Sequence, residues 1–179
     1  HKLSPPPIKE IAIEHNIPVY QPTTLKTEET QAILRELNPD LIVVVAYGKI
    51  LPKAVLDIPK HGCINVHASL LPKYRGAGPI QWSVLNGETV TGVTTMFMAE
   101  GLDTGDMLLK AETPIGENET ASELHDRLSE MGAPLLLETL KQLENGTLQP
   151  IKQNDAESSY APMLSKEMSA IDFTKEASQ

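Results

Sequence analysis

Asn65 and His67 stand two residues apart in the stretch Cys63–Pro79, CINVHASLLPKYRGAGP. The stretch opens as a short apolar run in which Ile64 and Val66 alternate with the two polar residues. It then breaks into a loop of Ser69, Pro72, Gly76, Gly78 and Pro79. Strand side chains alternate faces, so Asn65 and His67 are expected on one side and Ile64 and Val66 on the other. An amide donates a hydrogen bond without changing charge, and an imidazole can take up or donate a proton. Together at the end of a buried strand they could stabilise a developing oxyanion and move a proton. In open α/β sheets that end of the strand is where ligands bind. The constellation lacks a carboxylate to orient the imidazole; Asp103, in the tight polar turn Glu100–Gly105, is placed to supply one. The competing reading is a surface histidine and a turn-capping aspartate, and spacing alone leaves both open.

Other chemistries fit less well. The histidines are His1, His15, His61, His67 and His125, with no HExxH and no cysteine pair, so no protein metal site is expected. Gly76-Ala77-Gly78 imitates the start of a dinucleotide fingerprint, but Gln81 occupies the third glycine position, which disfavours a nicotinamide oxidoreductase. There is no GxSxG elbow, and Ser69 is no evident nucleophile despite lying near His67. The single cysteine, Cys63, sits in the apolar run and is read as packing.

The elements that must hold these residues follow from periodicity. HKLSPPP (residues 1–7) reads as loop, and Pro7 suits a first helical turn, with Ile8, Ile11 and Ala12 as a stripe ending near Asn16. Ile17–Tyr20 reads as a strand. Thr27 caps a helix carrying Ile33, Leu34 and Leu37, stopped by Asn38-Pro39. Leu41–Val45 is a continuous run expected to be a strand buried on both faces. A short helix at Ala54–Leu56 leads to the strand at Cys63, and Pro79 opens a helix ended by Asn86-Gly87. Val90–Met98 and Met107–Ala111 read as two strands joined by the Asp103 turn, an antiparallel edge. Thr120 and Glu123 form a capping box for a long leucine-rich helix that ends at Asn145-Gly146, with a kink expected at Gly132 and Pro134. Helix and strand thus alternate, predicting an α/β domain with a mostly parallel sheet flanked by helices and an antiparallel edge. Residues 1–150 form the domain and residues 151–179 read as a polar linker.

Composition agrees with one aliphatic-cored domain: 179 residues, 40% hydrophobic, only 4% aromatic. No run approaches the ~20 apolar residues of a membrane span, and a lone cysteine fits a reducing cytoplasm. The net charge of −9 argues against nucleic acid, but it is unevenly spread. Residues 1–75 carry nine Lys/Arg against seven Asp/Glu, while residues 76–179 carry six against seventeen, so a basic surface in the first half remains open.

NVHASLLPKYRGAGPIQW with EGLDTGDM resembles the folate-dependent formyltransferases, and the likeness runs from His1 past residue 165. The resemblance implies a Rossmann-like domain and an Asn–His–Asp catalytic set at Asn65, His67 and Asp103. It also implies a 10-formyltetrahydrofolate site that uses Ser69, Leu70, Leu71 and Pro72, with Gly48, Lys49, Ile50 and Leu51 near the pterin, and no metal. HKLSPPPIK, VVVAYGKILP, RGAGPIQ and Ala68 are most similar to the branch that formylates methionyl initiator tRNA for translation initiation; Ala68 stands where the glycinamide ribonucleotide branch commonly has Pro. By the same resemblance the chain is the middle of a monomeric cytoplasmic enzyme, without its first strand and its C-terminal domain. The alternatives are formyl transfer to glycinamide ribonucleotide or an amino-sugar nucleotide, and a non-catalytic folate-binding fragment.

Overall fold

The computed structural model describes residues 4–169. In chain order the elements are α1 (Pro7–Glu14), α2 (Glu28–Leu37), β1 (Ile42–Val45), α3 (Lys53–Leu56), β2 (Cys63–His67), α4 (Pro79–Leu85), β3 (Val90–Phe97), β4 (Met107–Pro114) and α5 (Ala121–Glu144). Local chemistry sets most of these ends. Thr27 Oγ1 accepts from the Thr30 amide, with Glu28 and Glu29 in the positive first turn. Asn38 closes the same helix in the left-handed conformation. Thr120 and Glu123 form the expected reciprocal capping box at the start of α5. That helix runs through Gly132 and Pro134 as one 24-residue unit. Gly132 lies close against the sheet: a Cβ there would be 3.3 Å from Val66 Cγ1.

The strands form one sheet in the order β1-β2-β3-β4. The antiparallel edge is present, β3 pairing with β4 as expected. Parallel pairing is confined to β1 and β2, because β3 also runs antiparallel to β2, His67 facing Thr94 and Ile64 facing Phe97. The described sheet is therefore α/β with one parallel and two antiparallel pairings, not mostly parallel. The cause lies in the connection. The loop after β2 folds back on the carboxyl end of that strand, and α4 has only seven residues, about 10 Å of rise. The chain re-enters the sheet from the end at which it left.

Two further expectations are corrected. Ile17–Tyr20 forms no strand; Ile17, Val19 and Tyr20 are all exposed and hydrogen-bond to no neighbouring strand among the described residues. Leu41–Val45 is not buried on both faces: Val43 and Val45 are 39% and 59% exposed. Among the described residues β1 has β2 as its one neighbour, and α2 and α3 cover the face carrying Ile42 and Val44.

The core divides across the sheet. On one face α4 and α5 supply Ile80, Leu124 and Leu128 against Val93. On the other, Leu51 and Val55 pack on Cys63. Leu71, Met96 and Met107 form a third cluster beneath the loop after β2. Burying side chains of this size stabilises by roughly 1.5–3 kcal/mol each before the entropy of ordering them is subtracted. Residues 151–162, expected to be linker, instead return to the domain: Ile151 bridges β4 at Met107, Tyr160 bridges Arg75, and Ala161 is fully buried. The remainder of the expected linker beyond Ser169 lies outside the described residues.

Two outcomes follow. Burial, assisted by the nearby charge of Asp57, pushes the Cys63 thiol up to about 11, so the native protein should resist a thiol reagent at pH 8 and react in denaturant; stoichiometric labelling of the native state would refute this. Gly92 should not tolerate Ala. A Cβ there would collide with the Ala111 carbonyl oxygen and come within 2.6 Å of Leu70 Cδ2. Urea unfolding should show a loss of ~1–3 kcal/mol, and an unchanged midpoint would be contrary.

Candidate active site

β2 turns Cys63 to the face covered by α3 and Val66 to α5, and strand alternation sets Asn65 and His67 on the Cys63 side. Asn65 is half-buried and His67 is 6% exposed. The loop that follows β2 reaches back over the histidine. His67 Nε2 donates to the Tyr74 carbonyl oxygen at 2.9 Å. A carbonyl can only accept, so Nε2 carries the proton and the working nitrogen is Nδ1. Nδ1 faces Asp103 Oδ2 at 3.7 Å, with the two side chains 7% and 12% exposed. That is an ion-pair distance rather than a hydrogen bond. The arrangement leaves the Nδ1 proton able to point at a reacting atom.

Asp103 comes from the turn between β3 and β4. Its φ is 51°, the left-handed region, and the Gly76 amide donates to its Oδ2 at 2.8 Å. Gly105 is required two residues on, since a Cβ there would collide with the Phe97 carbonyl oxygen. Tyr74 is itself at φ 60° and only 8% exposed. Its hydroxyl donates to Glu88 at 2.7 Å and accepts from Asn86 at 3.0 Å. Burial first, then the Glu88 carboxylate, raise the phenol above its ordinary range, so it stays a donor at neutral pH.

The expected folate residues divide by exposure. Ser69 and Leu71 are fully buried. Ser69 Oγ donates to the Lys73 carbonyl at 2.7 Å, and Leu71 packs in the core beside Met96. Thr94 Oγ1 ties the loop down, donating to the Ser69 carbonyl at 2.6 Å and accepting from the Leu71 amide at 3.2 Å. Both side chains are turned into the interior of the loop, whereas Leu70 and Pro72 are partly exposed. Leu51 is likewise core, at 4%. Gly48 is in the left-handed region, and Lys49 Nζ donates to the Thr23 carbonyl at 2.8 Å. A cavity of about 400 Å³ is lined by Lys49 and Ile50 with Thr24, Leu25, Lys26 and Tyr47. A larger cavity, about 520 Å³, lies along α5 between Ala111 and Glu138 and contains none of these residues.

Sequence reasoning missed three contributors: the Tyr74 carbonyl, the Gly76 amide and the side chain of Gln153. The glycine-rich loop signalled an unusual backbone but not which atoms it would offer. Nothing near Gln153 signalled a site at all. Among the described residues no helix is long and apolar enough to cross a membrane, and no three His, Cys, Asp or Glu side chains are grouped to hold a metal ion.

Several known proteins are similar to this chain. Methionyl-tRNA formyltransferase of Citrifermentans bemidjiense is 60% identical over 173 residues, covering 97% of the chain and 54% of that protein. The enzyme of the same name from Geobacter metallireducens is 60% identical, covering 99% and 57%. The chain thus spans about half the length of the curated relatives it matches. Among solved structures, the formyltransferase PseJ of Anoxybacillus kamchatkensis, in complex with UDP-4,6-dideoxy-4-formamido-L-AltNAc and tetrahydrofolate, superposes with a TM-score of 0.71 at 29% identity, covering 90% of this chain and 83% of that one. Residues 2–140 match the formyl transferase family. That span holds Asn65, His67 and Asp103 and all four strands of the sheet, so the likeness read from two short motifs extends over most of the chain, which belongs to the formyl transferase family.

Proposed function

We propose that the protein containing this chain transfers the formyl group of 10-formyltetrahydrofolate to the amino group of methionyl initiator tRNA, acting as a monomer in the cytoplasm to supply translation initiation. The observation that carries the chemistry is His67 with Nε2 committed to a carbonyl and Nδ1 turned toward a buried carboxylate. The acceptor rests on the relatives that bear the name methionyl-tRNA formyltransferase. The donor rests on the tetrahydrofolate named in the complex of the related formyltransferase.

In this reading the amino nitrogen of the acceptor adds to the formyl carbon, and the bond from that carbon to the folate nitrogen then breaks. The chain's residues serve the charge and the proton. Nδ1–H of protonated His67 and the Asn65 amide donate to the formyl oxygen as it becomes negative. Preorganised donors in a site shielded from water are each worth ~3–4 kcal/mol of barrier. Asp103 stabilises the imidazolium by its charge and relays the proton that the amine loses toward the leaving nitrogen. Residues 1–150 supply the reacting groups of the catalytic domain, and residues 151–162 pack onto it. Ile50, Lys49 and Tyr47 offer the cavity for the pterin, with Gly48 shaping its rim, and Leu70 and Pro72 border the path of the rest of the cosubstrate.

Formyl transfer should be measured with the full-length protein and three acceptors: methionyl initiator tRNA, an amino-sugar nucleotide and glycinamide ribonucleotide. Methionyl-tRNA should be formylated fastest; preference for either small acceptor would overturn the assignment. His67→Ala should lower kcat by about 10²–10³ while the folate Kd stays within a few-fold, and a loss confined to KM would oppose a transition-state role. Asp103→Asn should cost about 10²-fold or more in kcat; near wild-type turnover would remove Asp103 from the mechanism.

A further inference from the structure

Gln153 lies outside the matched family segment, yet it is 6% exposed and every polar atom of its side chain is used. Its Nε2 donates to the Asp103 carbonyl at 2.8 Å and to the Gly105 carbonyl at 2.7 Å. Its Oε1 accepts from Arg75 Nε at 3.0 Å, and Arg75 Nη2 reaches on to Asp155 at 2.8 Å. One amide thereby spans the two carbonyls that flank Thr104 in the turn holding the left-handed Asp103. A residue at positive φ persists only where its surroundings over-determine it, and these two bonds do that.

The same segment grips the opposite side of the pair. Ser159 Oγ accepts from the Tyr74 amide and Ser159 O from the Arg75 amide, each at 2.9 Å. The Ala161 amide donates to the Arg75 carbonyl at 2.7 Å, and the Gly78 amide to the Ala161 carbonyl at 3.0 Å. Gly76 cannot gain a side chain without striking Tyr160 and the Ala161 carbonyl, 2.7 Å from where a Cβ would sit. Residues 74–78 are the stretch that gives Tyr74 O to His67 and the Gly76 amide to Asp103. Both supports of the pair therefore hang on residues 153–161.

We infer that Gln153 is a positioning residue of the formyl-transfer reaction: it sets the Asp103 turn so that the carboxylate faces His67 Nδ1, and residues 153–161 are the clamp that holds the pair together. The inference rests on the formyl-transfer reading for its effect on rate, though not for its effect on geometry. A merely structural Gln153 would contribute to stability alone.

The test uses the full-length protein with Gln153→Met, of similar length without donors, and Gln153→Glu, which keeps the acceptor for Arg75 and loses both donors. Each folded variant should lose between about 10- and 100-fold in kcat, with the folate Kd within about threefold of wild type. Placed in Asp103→Asn, Gln153→Met should cost less than about twofold more, because the group it positions is already disabled. Unchanged kcat, an equal loss in the Asp103→Asn background, or failure of both variants to fold would overturn the inference. Amide hydrogen exchange separates it from the reading beneath it. Should the wild type formylate no acceptor, formyl transfer falls, but exchange at Gly76 still decides the geometry: faster in Gln153→Met with the α5 core unchanged supports the clamp, and unchanged exchange defeats it.

Discussion

A carboxylate withdrawn from water must be held by other groups, and the site depends on how Asp103 is held. Burial penalises its charge unless donors or a cation replace the lost water. Here the Gly76 amide donates to Oδ2, and His67 Nδ1 stands 3.7 Å away, close enough to answer the charge without saturating it. Much of the local architecture follows from that requirement. The turn bends through a left-handed aspartate, Gly105 passes under the Phe97 carbonyl, and the loop after β2 must fold back to bring Gly76 across. The same fold-back delivers the Tyr74 carbonyl to Nε2 and so chooses the imidazole tautomer.

The antiparallel turn of β3 is part of this arrangement. Because the chain re-enters the sheet at the carboxyl end of β2, the far end of β3 carries Phe97 back past Ile64, and Asp103 must return along the turn to meet His67. A Gln153 clamp supplies the missing constraint from a distant part of the chain. It bonds the backbone on both sides of Thr104 rather than the carboxylate, leaving the carboxylate oxygens for Gly76 and the imidazole. Positioning and charge are thus handled by different groups.

Local signals in the sequence were sufficient for most elements. The capping box at Thr120, the cap at Thr27 and the polar break at Asn86-Gly87 mark real helix ends. Alternation at Asn65 and His67 placed both on one face, and a polar turn between two strands yielded Asp103 at ion-pair distance. What could not be read depends on partners remote in sequence. Ile17–Tyr20 has strand composition, but composition does not provide a neighbour to pair with. The run at Leu41–Val45 looked doubly buried because hydrophobicity does not report which face has a cover. The motif at Ser69–Pro72 does not report that the side chains of Ser69 and Leu71 fill the loop's own interior. Residues 151–162 looked inert because their apolar content is low, yet hydrogen bonds attach them, with Ala161 buried.

The proposed mechanism turns on which nitrogen of His67 is free, and nitrogen-15 NMR of histidine-labelled full-length protein reads that directly. In the neutral ring Nε2 should carry the proton and be hydrogen-bonded, because a neutral Nδ1–H tautomer would set the Nε2 lone pair against the Tyr74 carbonyl oxygen at 2.9 Å. A neutral His67 found with its proton on Nδ1 and a bare Nε2 would contradict the account, since the Tyr74 carbonyl oxygen would then not be the acceptor that holds the ring with Nδ1 toward Asp103.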